Sequence, residues 1–141
     1  MNQAPLARLG AQPCPCARLD ANQRPLLFSA CCGQYLQGDA VAPDAHSLMR
    51  SRYSAFVLQR QDYLLATWHA RTRPAQVRFD TAGKWLGLEV RKVTVTSSVH
   101  AEVEFVARFK PANASAWRLH ERSRFLLHEG RWWYVDGVQL Q

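Results

Sequence analysis

Four cysteines lie within nineteen residues, Cys14 and Cys16 as Cys-Pro-Cys and Cys31 and Cys32 as Cys-Cys-Gly, and the rest of the 141-residue chain has none. A segment this short cannot bury a core of its own, so something other than apolar packing has to hold it together. Two close pairs separated by one loop bring four soft ligands to a point at modest closure entropy. Tetrahedral zinc takes four thiolates, and the ion then supplies folding energy to the loop. Disulfides fit less well, because adjacent and alternate cysteines have poor bridge geometry and a reducing compartment is expected. A redox dithiol usually takes the form Cys-x-x-Cys, and Cys-x-Cys plus Cys-Cys is not the spacing of the common ferredoxin runs. His46 and His69 are competing ligands, but the four cysteines alone complete the shell. The expectation is one structural zinc ion per chain on Cys14, Cys16, Cys31 and Cys32. A closed shell leaves no position for a reactive water.

At 48% hydrophobic and 21% charged residues, the composition is that of one ordinary globular domain. No run approaches the roughly 18 apolar residues of a membrane span. The opening MNQAPLARLGAQPCPC has no apolar stretch of the signal-peptide kind. A cytoplasmic protein without a membrane role is therefore expected. The formal charge is +7, carried almost wholly by arginine, since the lysines are Lys84, Lys92 and Lys110. Four thiolates on one Zn²⁺ would lower that to about +5 (+7 minus 2). The basic residues are spread along the chain with no block of like charge, which makes nucleic acid a minor hypothesis.

Residues 1–12 have no periodicity and are expected as a disordered tail, 13–33 as the zinc loop, and 34–141 as the main domain. Asp44 is positioned to cap a helix running to about Gln59, with Leu48, Met49, Tyr53, Ala55 and Phe56 near helical spacing. A second helix is expected from Gln61 to His69, stopped by Arg73-Pro74. From Lys84 the period becomes two. Leu86, Leu88 and Val90 share one phase and Val93 and Val95 the other, which a bulge near Arg91-Lys92 would reconcile. Alternation continues from Val99 to Phe109. Arg118–Leu127 and Arg131–Val138 then form two more strands joined at Glu129-Gly130, a two-residue hairpin signal. Helices first and an antiparallel sheet afterwards make an α+β fold, with the helices packed on one face of the sheet.

A hairpin centred near Asn113 sets Glu104 opposite Arg122 and Glu102 opposite Arg124, on a charged face that also carries His120. The opposite face holds Val103, Phe105 and Leu119, yet also Glu121 and Ser123. The turn at Glu129-Gly130 pairs Ser123 with Asp136 and Phe125 with Tyr134. Buried carboxylates need partners, and Arg50 or Arg52 on the covering helix are the natural ones. Arg50, Arg52, Tyr53, Glu121, Ser123, Tyr134 and Asp136 thus form the candidate pocket. It is either an arginine–carboxylate clamp or a cavity for a small polar ligand. Acid–base chemistry there would need His120, His69 or a carboxyl raised by burial. No Gly-rich phosphate loop, Gly-x-Ser-x-Gly elbow or His-Glu-x-x-His pattern occurs.

Cys-Pro-Cys…Cys-Cys-Gly resembles the SEC-C zinc motif known from the tail of the SecA translocation ATPase. Leu48–Phe56, Asp62–His69, Val103–Arg108, Leu119–Phe125 and Gly130–Gly137 resemble the YchJ-like family, so that the resemblance runs from about Cys14 to Gly137. It implies an N-terminal SEC-C zinc motif followed by a cone-shaped, nuclear transport factor 2-like α+β domain of uncharacterised role. A protein partner is implied as well, since the SecA tail contacts a chaperone. Where the usual motif has Gly-Ser-Gly after the second cysteine, this chain has Ala17-Arg18-Leu19, and fourteen residues separate Cys16 from Cys31. The glycine-supported turn is therefore expected to be lost. The leading expectation is a zinc-containing binding or adaptor protein with a protein partner or a small polar ligand. An enzyme using the inward polar residues is the first alternative and a nucleic-acid-binding protein the second.

Overall fold

The computed structural model describes residues 5–141. Three short helices, α1 (Cys32–Leu36), α2 (Ala45–Val57) and α3 (Gln61–Ala66), precede four strands, β1 (Lys84–Val95), β2 (His100–Lys110), β3 (Trp117–His128) and β4 (Arg131–Gln139). The strands form one antiparallel meander in the order β1-β2-β3-β4. Helix α2 lies across its inner face and touches β1, β2 and β4. The architecture is the α+β arrangement expected, with a cysteine-rich segment before it.

Helix α2 begins where the sequence places it. Asp44 has an extended backbone and its carboxylate accepts from the N–H of Ser47 at 2.7 Å, satisfying one of the orphan donors of the first turn. Helix α3 is shorter than expected. It ends at Ala66, and the next residues leave the helix to lie along β4. Tyr134 N–H donates to the Thr67 carbonyl at 2.9 Å, and His69 N–H donates to the Tyr134 carbonyl at 2.8 Å. These bonds occupy backbone groups on the sheet edge and bring Trp68 against the ring of Tyr134.

The β2–β3 register agrees with a hairpin centred near Asn113, so Glu104 faces Arg122 and Glu102 faces Arg124. The close side-chain contacts run diagonally, His120 to Glu104 at 2.8 Å and Arg122 to Glu102 at 3.7 Å. In β1 the expected bulge lies between Val90 and Lys92. A second irregularity, between Trp85 and Gly87, was not signalled by the alternation. It puts Trp85 opposite Phe109 in the core and leaves Leu86 exposed. The β3–β4 turn has positive φ at both Glu129 (53°) and Gly130 (76°), the conformation of a tight two-residue hairpin.

The N-terminal segment joins the same core. Leu6–Leu9 forms a turn of 3₁₀ helix, and Leu6 and Leu9 pack on the core together with all four cysteines. Of the expected tail 1–12, residues 1–4 lie outside the described residues, and the remainder is tied down by bonds such as Phe28 N–H to the Gln12 carbonyl at 2.8 Å. Removing the α2 cap by Asp44→Ala should cost about 1 kcal/mol, read as a lower midpoint in urea with an unchanged slope.

Candidate metal centre and sheet cavity

The chain between the cysteine pairs is a small two-stranded loop. Cys14 N–H donates to the Leu26 carbonyl and Leu26 N–H to the Arg18 carbonyl, both at 2.9 Å, and the Asp20 carboxylate closes the tip on the N–H groups of Asn22 and Arg24. The fourteen residues between Cys16 and Cys31 are thus structured. At their start Ala17 has φ of 60°, so the left-handed turn expected to be lost with glycine is kept by an alanine under strain.

All four cysteines are buried, none is in a disulfide, and their sulfurs lie within 4.8 Å of one another. Sγ of Cys16 is 3.6 Å from that of Cys31, which is 4.0 Å from that of Cys32. A tetrahedral ion with arms of about 2.3 Å holds its sulfurs about 3.8 Å apart. The cluster therefore fits a metal. Contact with Cys16, Cys31 and Cys32 holds the Cys14 thiol well below its ordinary range, while contact with Cys14, Cys16 and Cys31 pushes Cys32 far up. Ionisation of one sulfur opposes that of the others, and a central divalent cation removes this conflict.

Glycine after the second pair is a packing requirement. A Cβ on Gly33 would lie 2.6 Å from the carbonyl oxygen of Phe28 and 2.8 Å from its ring, and Phe28 is fully buried.

Helix α2 is the floor of this centre. The Arg18 guanidinium donates to Ser47 Oγ at 3.0 Å, Arg50 Nη1 donates to the Cys16 carbonyl at 2.9 Å, and Ser54 Oγ lies 3.7 Å from Cys14 Sγ. Positions 47, 50 and 54 fall on one helix face. Arg50 also donates to His46 Nε2 at 2.8 Å, so it is not the partner of the sheet carboxylates. The reason is geometric. Two residues along a helix turn by about 200°, so Arg50 and Arg52 point to opposite sides, and only Arg52 reaches the sheet. His46 is taken up by Arg50. His69 lies beyond α3, where its Nδ1 accepts from Arg71 N–H. Neither belongs to the sulfur cluster.

On the sheet side, Met49, Arg52, Tyr53 and Phe56 form the opposite helical stripe and roof a cavity of about 210 Å³. Glu121, Ser123 and Tyr134 line it from the sheet. Asp136 does not. Ser123 pairs with Gly137, because an extra residue in β4, Val135, interrupts the ladder between Phe125↔Tyr134 and Arg124↔Asp136. The bulge reverses the facing of every later residue. Asp136 therefore lies on the outer face in a two-pronged ion pair with Arg124, both contacts at 2.6 Å. Gly137 takes the inner position, where a Cβ would overlap the Glu121 carboxylate.

Arg52 is buried, 6% exposed. Its Nη1 donates to the Leu64 carbonyl at 2.8 Å and to Thr67 Oγ1 at 2.7 Å. The guanidinium lies over the rings of Tyr134 (4.2 Å) and Trp68 (4.9 Å). Among the described residues no carboxylate oxygen comes within 4.0 Å of it. Burial raises the Glu121 carboxyl above its ordinary value, opposed by the Ser123 hydroxyl that donates to it at 2.8 Å and by Arg52. The expected clamp is thus absent as a contact pair, and its two charges line one apolar space. Thr67 and Trp68 fall within the helix expected over Gln61 to His69, and they reach this site because α3 ends at Ala66. Ser47, Arg50 and Ser54 carry a signal in the sequence, polar residues at i, i+3 and i+7 that share one face of α2.

A family profile described as "YchJ, middle NTF2-like domain" matches residues 44–137. A UPF0225 protein of Polaromonas naphthalenivorans (strain CJ2) is 62% identical over 134 residues, which cover 91% of this chain and 98% of that protein. A UPF0225 protein of Xanthomonas campestris pv. campestris (strain 8004) is 48% identical over 127 residues, 89% of this chain and 93% of that one. Two solved structures share the fold. The crystal structure of a SEC-C motif containing protein from Psychrobacter arcticus has a TM-score of 0.77 and 31% identity, over 95% of this chain and 86% of that one. The solution structure of a SEC-C motif containing protein from Rhodopseudomonas palustris has a TM-score of 0.73 and 29% identity, over 83% and 94%.

Two substitutions test the loop geometry in opposite directions. Ala17→Gly should raise thermal stability by about 1 kcal/mol by relieving the left-handed backbone. Gly33→Ala should lower it by about 1–3 kcal/mol through overpacking on Phe28. Calorimetry on the metal-loaded protein distinguishes them.

Proposed function

The chain belongs to the YchJ family with a middle NTF2-like domain, and on that premise we propose that it is a zinc-stabilised binding protein whose sheet cavity takes a small ligand. The observation that carries this reading is a buried guanidinium, Arg52, that lines a largely apolar cavity without a carboxylate in contact among the described residues. A buried charge retained without a close partner is costly, and a ligand that meets it recovers that cost. Zinc is assigned over other metals because four thiolates in a tetrahedral set are its preferred environment. Its role is structural. When bound, the ion supplies cross-linking of the loop, while Ser54 and Arg50 hold the loop on α2.

A protein partner at the metal loop is the second reading, favoured by the exposed side chains of Leu19 (47%) and Leu27 (45%) on that loop. Nucleic acid draws less support, because several arginines of the outer sheet face, Arg91, Arg122 and Arg124, are matched with acidic neighbours.

Purified protein should carry one zinc per chain by metal analysis. Chelation should remove dispersed amide signals from residues 13–36 and lower the melting temperature, with the sheet signals retained. Stoichiometric iron, or an unchanged loop after metal removal, would overturn the assignment.

A further inference from the structure

The cavity has a definite electrical character. Its walls are aromatic and aliphatic, including Trp85, Phe105 and Leu119, and an arginine and a carboxyl side chain face into it, Arg52 from α2 and Glu121 from β3. They do not meet as an ion pair. Arg52 is fixed by its bonds to α3 and Thr67, and Glu121 by Ser123 and by its seat over Gly137. A positive and a negative end are thus held on one space. Trp68, on the same wall, carries an indole N–H without a hydrogen-bond partner among the described residues.

We infer that this space is a site for a small, uncharged, planar ring bearing an acceptor and a donor side by side, a carboxamide or lactam. Its acceptor meets Arg52 and its donor meets Glu121. This deepens the reading of the cavity as a ligand site and rests on it. Three properties of the cavity select the class. The first is size: an engineered apolar cavity of about 150 Å³ holds benzene, so about 210 Å³ accommodates one ring with a small substituent. The second is charge. With Arg52 and Glu121 both ionised the cavity is balanced, and an anionic or cationic guest leaves one buried charge in excess, whereas a neutral guest does not. The third is protonation. A carboxamide donates N–H to a carboxylate and also pairs with a neutral carboxyl, so it suits Glu121 in either state, while a carboxylate suits only the protonated one. The aromatic walls offer edge and face contacts to the ring.

Benzamide, benzoate and benzylamine, equal in shape and different in charge, test this on the zinc-loaded full chain at pH 7, by calorimetry and by fluorescence of the tryptophans. Benzamide should bind saturably and at least about tenfold tighter than either ion. Arg52→Lys should weaken benzamide about tenfold, and Glu121→Gln should strengthen benzoate about tenfold, removing the discrimination. Ala107→Leu, which fills the cavity from β2, should abolish binding with the fold retained by circular dichroism. Equal or tighter binding of benzoate or benzylamine overturns the ligand class and leaves the cavity as a ligand site. No binding of any of the three up to roughly 10 mM overturns both. The comparison among probes is made on the unaltered protein, so it holds even where a variant fails to fold.

Discussion

A helix enclosed on several sides has to find a partner for each polar group it carries, and α2 meets this demand in two directions at once. Toward the N-terminal loop it presents Ser47, Arg50 and Ser54, which engage Arg18, the Cys16 carbonyl and the Cys14 sulfur. Toward the sheet it presents Met49, Arg52, Tyr53 and Phe56, which close the cavity. Between these stripes Ser51 binds the Leu48 carbonyl and the Tyr63 hydroxyl, tying α2 to α3.

The cysteine segment is held by this helix as well as by whatever its sulfurs bind. Its own apolar content is slight, and its buried members, Phe28 and the four cysteines, are part of one cluster with α2 and the sheet. An ion at the sulfurs would act on the same loop as two side chains of α2, the first through thiolates and the second through hydrogen bonds to its backbone and sulfur. Metal loading of the cluster would thereby be linked to the placement of α2, which also roofs the cavity. The candidate metal centre and the cavity share one helix.

The cavity owes its polarity to a loop crossing a sheet edge. Because α3 stops at Ala66, Thr67 and Trp68 run beside β4 and wrap the Arg52 guanidinium together with Tyr134. This cradle of one hydroxyl, one carbonyl and two rings supports a buried cation without a carboxylate in contact. Glu121 is thereby left facing the cavity, with Ser123 as its hydrogen-bond donor.

Much of this was legible in the chain itself. The cysteine spacing marks the metal centre, Asp44 the start of α2, the change of period at Lys84 the start of the sheet, and Glu129-Gly130 the last turn, because each rests on local chemistry or on a fixed periodicity. The β2–β3 register was legible for the same reason, since side chains alternate strictly on an uninterrupted hairpin. Tertiary structure decided the rest. One extra residue in β4 sent Asp136 outward, a second irregularity in β1 exchanged Leu86 for Trp85 in the core, and the docking of α2 between loop and sheet gave the cavity to Arg52, about 200° around the helix from Arg50. The bulge between Val90 and Lys92 showed as a change of alternation phase, but those at Leu86 and Val135 left no such sign, because each is selected by the sum of contacts across the whole sheet and not by the residues where it occurs.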